Sequence, residues 1–269
     1  MSEVSERLRT LQRQIGRAAS VDATSSDTVR SDLRRLLDLR RRAATRKLAA
    51  PAGIEIAEGL HLVEWRRRYE ASRRVELPWG EASEVERERL VCFDTETTGL
   101  AGGVGTRAFM IGSAQWRGGE LVVRQLYLTA LSGEEEMLRS FSGYLPADAI
   151  FVSYNGRSYD APLLKGRYRL HRQAHPFGER GHVDLLYPVR RAYRGVWENC
   201  RLQTIERQLL GIVRNDDLPG REAPAAWLAY LRGQSSTNLG RVLDHNRQDV
   251  VTLAILFDRL AAAIRPPRP

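Results

Sequence analysis

The apolar run Leu90-Val91-Cys92-Phe93 leads directly into Asp94-Thr95-Glu96. Such a run reads as a buried strand. Side chains of a strand alternate between faces, so Asp94 and Glu96 project the same way from the end of a rigid element. Two neighbouring carboxylates repel each other and are costly to desolvate unless a cation lies between them. This strand end predicts a metal-dependent enzyme.

A chain of 269 residues is long enough for one large domain, or a domain with an appendage, and for a core that needs no covalent staples. The two cysteines, Cys92 and Cys200, make no disulfide framework, and Cys92 reads as a small core side chain. There is no N-terminal apolar leader and no apolar stretch long enough to span a bilayer, which predicts a soluble, cytoplasmic protein that does not engage a membrane. The net charge of +9 favours a polyanionic partner, of which nucleic acid is the commonest. Residues 1–50 hold twelve Lys/Arg against six Asp/Glu, so most of the excess charge lies there, although a solvated basic helix face has the same composition.

Periodicity predicts helices over residues 4–15 (Val4, Leu8, Leu11, Ile15) and from Val29 to Leu48, closed by Pro51 and Gly53. Residues 54–66 read as a hairpin turning at Glu58-Gly59. Strands are expected over residues 108–115, 121–127 and 149–154, and helices over 134–145, 160–170, 202–210 and 239–263. Strands first, then strands alternating with helices, predict an α/β fold with a mixed sheet flanked by helices. A glycine-rich loop spans residues 99–106. It lacks the Gly-Lys-Ser/Thr of a phosphate-binding loop and reads as a turn between strands.

Two further acidic positions accompany the strand. The segment Asn155-Gly-Arg-Ser-Tyr159-Asp160 ends one strand and opens a helix. His245 and Asp249, four apart on the last helix, share one face. Asp-Thr-Glu-Thr-Thr-Gly, Asn-Gly-x-x-Tyr-Asp and His-x-x-x-Asp, in that order, resemble the DEDD 3′–5′ exonucleases of the ribonuclease-H-like superfamily over residues 88–262. Two further stretches look more specifically like the YprB-like bacterial subgroup. One is the glycine loop with residues 107–112; the other is residues 200–211 with Asp217-Leu-Pro-Gly220.

The resemblance implies a ribonuclease-H-like exonuclease domain over residues 88–265, and periodicity and charge place a basic helical extension (1–50) and a hairpin and linker segment (51–87) ahead of it. It implies that Asp94, Glu96, Asp160 and Asp249 ligate two Mg²⁺ or Mn²⁺ ions, with Asp94 bridging, and that His245 is the general base. Hard ions with oxygen ligands, placed to stabilise the attacking and leaving oxygens of a phosphodiester, fit such a donor set, and an imidazole suits proton transfer near neutral pH. In the family's histidine branch four residues separate the base from the last aspartate. Here there are three, the spacing of the tyrosine branch, so His245 stands in the tyrosine's place, either as the base or as the residue that orients the water. Thr97, Thr98 and Leu100 would meet the terminal nucleotide, and Asn155 and Tyr159 would lie near the scissile phosphate.

Other readings compete. Residues 165–172 interleave basic and aromatic side chains, as a phosphate-tracking groove or a solvated helix face would. His171, His175, His182 and Asp184 match no closed zinc pattern, and Asp184 reads as an interior acid at a strand end near the site. The alternative function is a nucleic-acid-binding or scaffold protein with a vestigial nuclease site, and a third reading is an endonuclease of the same fold.

Overall fold

The computed structural model describes residues 48–77, 84–99, 105–178 and 180–263. The basic helices expected in residues 1–47, Leu100 with most of the glycine loop, and the C-terminal tail lie outside the described residues.

A hairpin opens the described chain: β1 (Ile54–Ala57) and β2 (Leu60–Arg68). It turns at Gly59, whose φ of +76° is open to glycine, and an added Cβ there would lie 2.8 Å from the Ala130 side chain. A small separate ribbon follows, β3 (Arg74–Glu76) against β4 (Glu84–Glu86). Then come β5 (Leu90–Thr97), β6 (Ala108–Arg117), β7 (Glu120–Leu128) and helix α1 (Glu134–Tyr144). Strand β8 (Ile150–Ser153), α2 (Asp160–Leu170), β9 (His182–Asp184) and α3 (Leu186–Tyr193) alternate after it. The chain ends with α4 (Leu202–Ile205), a π-helical turn over Glu206–Leu210, α5 (Ala223–Leu231) and the long α6 (Thr237–Ala263).

Seven strands form one sheet in the order β1-β2-β7-β6-β5-β8-β9. β5, β8 and β9 run parallel and the remaining pairs antiparallel, so the sheet is mixed and flanked by helices, an α/β fold as the sequence predicts. The hairpin is continuous with this sheet, because β2 pairs with β7 along its whole length.

Strand β5 is buried on both faces. Val91 and Phe93 pack with Phe141, Phe151 and Phe177 beside α1 and α2, the Phe93 and Phe151 rings meeting edge-on at 5.4 Å. Leu90 and Cys92 pack on the other face against Val250, Leu253, Ala254 and Phe257 of α6. Burying each large side chain contributes about 1.5–3 kcal/mol, so the end of β5 is a fixed platform. Among the described residues no helix is long and apolar enough to cross a membrane.

Candidate metal and nuclease site

Asp94 and Glu96 continue the β5 face that packs on α6, and Asn246 of α6 donates from Nδ2 to Asp94 Oδ2 at 3.0 Å. Thr95 faces the other layer, and its hydroxyl donates to Asp160, the first residue of α2. The site thus forms where the two layers meet at the end of one strand. Asp160 approaches from the α2 side, and Asp249 comes from α6.

The close approach of α6 depends on a glycine in the neighbouring strand. Gly112 of β6 pairs with Asp94, and a Cβ built on it would stand 2.0 Å from Asn246 Oδ1. That oxygen accepts from Gln125 Nε2 at 3.1 Å, which orients the amide so that its nitrogen meets Asp94. Gly112→Ala should therefore cost about 1–3 kcal/mol, the usual range for overpacking, in a urea denaturation. An unchanged midpoint would mean that Asn246 can swing aside freely.

His245, Asn246 and Asp249 lie on one face of α6. His245 Nδ1 is 2.7 Å from Asp217 Oδ1, and its Nε2 is 3.4 Å from Asp249 Oδ2. Among the described residues, Glu96, His245 and Asp249 place ligand atoms within 4.8 Å of one another, a group able to hold a metal ion. Behind them sits Arg214. Its Nε and Nη2 bond both oxygens of Glu206 at 2.6 and 2.7 Å, and it also donates to Asp249. Glu206 is 1% exposed, projects from the π-helical turn and also accepts from the Thr252 hydroxyl. The guanidinium charge is thus largely committed to a buried partner.

The acids crowd like charges into a buried site. Burial pushes the Asp94 carboxyl well above the usual carboxylate range, followed by Asp249, Asp160 and Glu96, with the Asn246 amide opposing. Glu96 is raised well above its ordinary value by burial and then by Asp249, Asp160 and Asp217, with Arg214 opposing. Asp160 is raised by burial despite the Thr95 hydroxyl. A proton or a metal ion relieves the same strain.

The expected substrate contacts fall as follows. The Thr97 hydroxyl donates to the Gly99 carbonyl at 3.0 Å, and the Thr98 hydroxyl accepts from the Arg107 N–H at 3.0 Å, so both close the base of the glycine loop. Asn155 takes a left-handed φ of +66°, and its N–H donates to Asp184 Oδ1 at 2.7 Å. Tyr159 is 62% exposed and immediately precedes Asp160. Leu100 lies outside the described residues. Asp184 is interior, as read from the sequence: it also accepts from the backbone N–H groups of Arg157 and Leu186, fixing the turn that delivers Asp160. Of residues 165–172, Tyr168 is fully buried and Arg167 is paired with buried Glu134, so neither faces a groove.

Asn246, Arg214, Glu206 and Asp217 carry no assigned role in the sequence reading. Asn246 stands three residues before Asp249 on the same helical face, and Asp217 and Glu206 lie in the stretches that resemble the YprB-like subgroup; Arg214 has no such signal.

Over 184 residues the chain is 35% identical to the uncharacterized protein YprB of Bacillus subtilis (strain 168), covering 68% of this chain and 44% of that protein. It thus spans less than half the length of that relative. Among solved structures, the family B DNA polymerase from the hyperthermophilic archaeon Pyrobaculum calidifontis superposes with a TM-score of 0.48 at 14% identity, over 64% of this chain and 24% of the polymerase. A family model described as RNase_H superfamily matches residues 91–261, which include Asp94, Glu96, Asp160, His245 and Asp249, and the chain belongs to that superfamily.

Proposed function

We propose that this chain is a metal-dependent 3′–5′ exonuclease that hydrolyses phosphodiester bonds of DNA or RNA and releases nucleoside 5′-monophosphates. Asp94, Glu96, Asp160 and Asp249 hold two Mg²⁺ or Mn²⁺ ions, and His245 takes the proton of the attacking water. One observation carries the reading: Asp94 and Glu96 of β5 and Asp160 of α2 meet with raised proton affinity, beside Asp249 of α6 and an imidazole turned toward it. Carboxylates suit hard divalent ions. When bound, such ions supply positive charge to the attacking and leaving oxygens of the phosphodiester.

The chain's own residues supply the rest. Arg214, held bidentately by Glu206, anchors Asp249 through one carboxylate oxygen. His245 Nε2 faces the site and accepts the proton. The exposed Tyr159 ring beside Asp160 offers a stacking face near the scissile phosphate, tolerant of base identity, and Asn155 shares its turn. Thr97 and Thr98, with Leu100, would meet the terminal nucleotide. The direction of digestion rests on the resemblance of the three acidic motifs. The basic excess of residues 1–50 suits phosphate contacts as well as it suits a solvated face.

Metal binding and pH should couple in a defined sense. The three acids have raised proton affinity in the fold, so the metal-free protein gains from their protonation at and below the ordinary carboxylate range, about pH 4. That contribution is lost as pH rises through their raised folded values. Mg²⁺ or Mn²⁺ compensates the charge, so the rise in Tm on adding metal should be larger at pH 8 than at pH 5. Calorimetric titration with Mn²⁺ at pH 8 should find two ions. Absence of uptake, with no change in Tm, would favour a vestigial site in a binding protein.

A further inference from the structure

We propose that Asp217 is a positioning residue that holds His245 in the Nδ1–H tautomer with Nε2 turned toward the reacting side; this rests on reading His245 as the base. Asp217 reaches Nδ1 at 2.7 Å from a loop that is not part of α6. Its other oxygen is held from behind by Gln203 Nε2 at 3.0 Å and Arg214 Nη1 at 3.3 Å. The neighbouring Leu218 is 3% exposed and anchors the loop in the core. The carboxylate is therefore fixed on one oxygen and presents the other to the imidazole.

The tautomer follows from the donors and acceptors around Nδ1. Arg214 Nη1 is also near it, at 3.2 Å, and an arginine can only donate. A bare Nδ1 accepting from Arg214 would set its lone pair against the Asp217 oxygen at 2.7 Å, the closer of the two contacts. With the proton on Nδ1, that contact becomes a charge-assisted hydrogen bond, and Arg214 keeps its bonds to Glu206, Asp217 and Asp249. Nε2 also faces a carboxylate, but at 3.4 Å from Asp249 Oδ2 its contact is the longer of the two, so Nε2 is left as the unprotonated nitrogen. A base needs its free lone pair on that side, and a ring hydrogen bond on the other nitrogen is what secures it. Arg214 and its buried partner Glu206 set the position of the whole pair.

The test reads the tautomer and the kinetics separately. In nitrogen-detected NMR of the full chain, the neutral imidazole of His245 should carry its proton on Nδ1. Asp217→Asn, whose amide can donate, should move the proton to Nε2, while Asp217→Glu should retain it on Nδ1. Gln203→Ala, at an exposed contact, should weaken the pairing without threatening the fold. Against a 3′-ended oligonucleotide with Mn²⁺, Asp217→Asn should lower kcat by about 10–100-fold with KM unchanged, less than the loss from removing the base itself. Asp217→Glu should recover part of that loss, and Asp217→Asn added to His245→Ala should lower the rate no further. An Nε2–H tautomer in the parent protein, a tautomer unmoved by Asp217→Asn, or additive losses in the double variant would overturn the proposal. A parent protein with the Nδ1–H tautomer, moved to Nε2–H by Asp217→Asn, that hydrolyses nothing would uphold the Asp217 pairing and remove the base role of His245.

Discussion

Replacing Asp94 with Asn should abolish hydrolysis and leave the fold standing. Asp94 sits at the centre of the acidic cluster, feeling Asp249, Asp160 and Glu96 together, and its carboxyl is pushed well above the usual range by burial and by those neighbours. An amide of the same shape removes the charge that a divalent ion needs there. It keeps an oxygen to accept from Asn246 Nδ2, so the packing of α6 on β5 is preserved. Relieving one like charge should make the metal-free variant melt above the metal-free parent at pH 8, by about 2–4 °C for each kcal/mol of repulsion removed in a domain of this size. Metal should then raise its Tm less than it raises the parent's. Hydrolysis at the parent's rate by a folded Asp94→Asn protein would remove Asp94 from the metal assignment.

His245→Ala should lower the rate by about 10²–10⁴-fold, the range a general base supplies, with substrate affinity and metal uptake little changed. The ring is largely enclosed, its side chain 11% exposed, so the variant also leaves Asp217 and Arg214 without one of their partners. Circular dichroism and a melting curve should show the fold intact, since Arg214 remains bound to Glu206. An unchanged rate and pH profile would exclude the imidazole from proton transfer. A comparable loss in Asp217→Asn alone, accompanied by unfolding, would point to a structural role for the pair.

The features of the site that were legible in the sequence depend on local periodicity. Alternation along β5 puts Asp94 and Glu96 on one face, and the i, i+4 relation puts His245 beside Asp249; both hold in the structure. What the sequence hides depends on chain return. Arg214 and Asp217 come from the segment between the π-helical turn and α5, and nothing local marks this arginine among 42 Lys and Arg. Glu206 is inward because a π-helical turn re-aims it, a departure that the pattern of residues 202–210 does not announce. Helix α5 was not read from the sequence because Ala225, Leu228 and Ala229 are as apolar as the buried Ala226, Trp227 and Tyr230. With no polar face there is no contrast for periodicity to find. Strands β3, β4 and β9 are three residues each, too short to show alternation. The basic and aromatic pattern of residues 165–172 predicts a groove or solvated surface, whereas Glu134 at the start of α1 draws Arg167 inward and Tyr168 bonds the Leu138 carbonyl beneath it.

The most direct test of the proposed activity is a digestion time course. Single-stranded DNA and RNA oligonucleotides, labelled at either end, would be incubated with Mg²⁺ or Mn²⁺ and with metal omitted, using Asp94→Asn as the control. A 5′-labelled strand that shortens one nucleotide at a time, only with metal and only with the parent protein, is the predicted result. Cleavage of a circular single strand would show an endonuclease instead. Binding of the strands without any hydrolysis, under either metal, would contradict the nuclease reading.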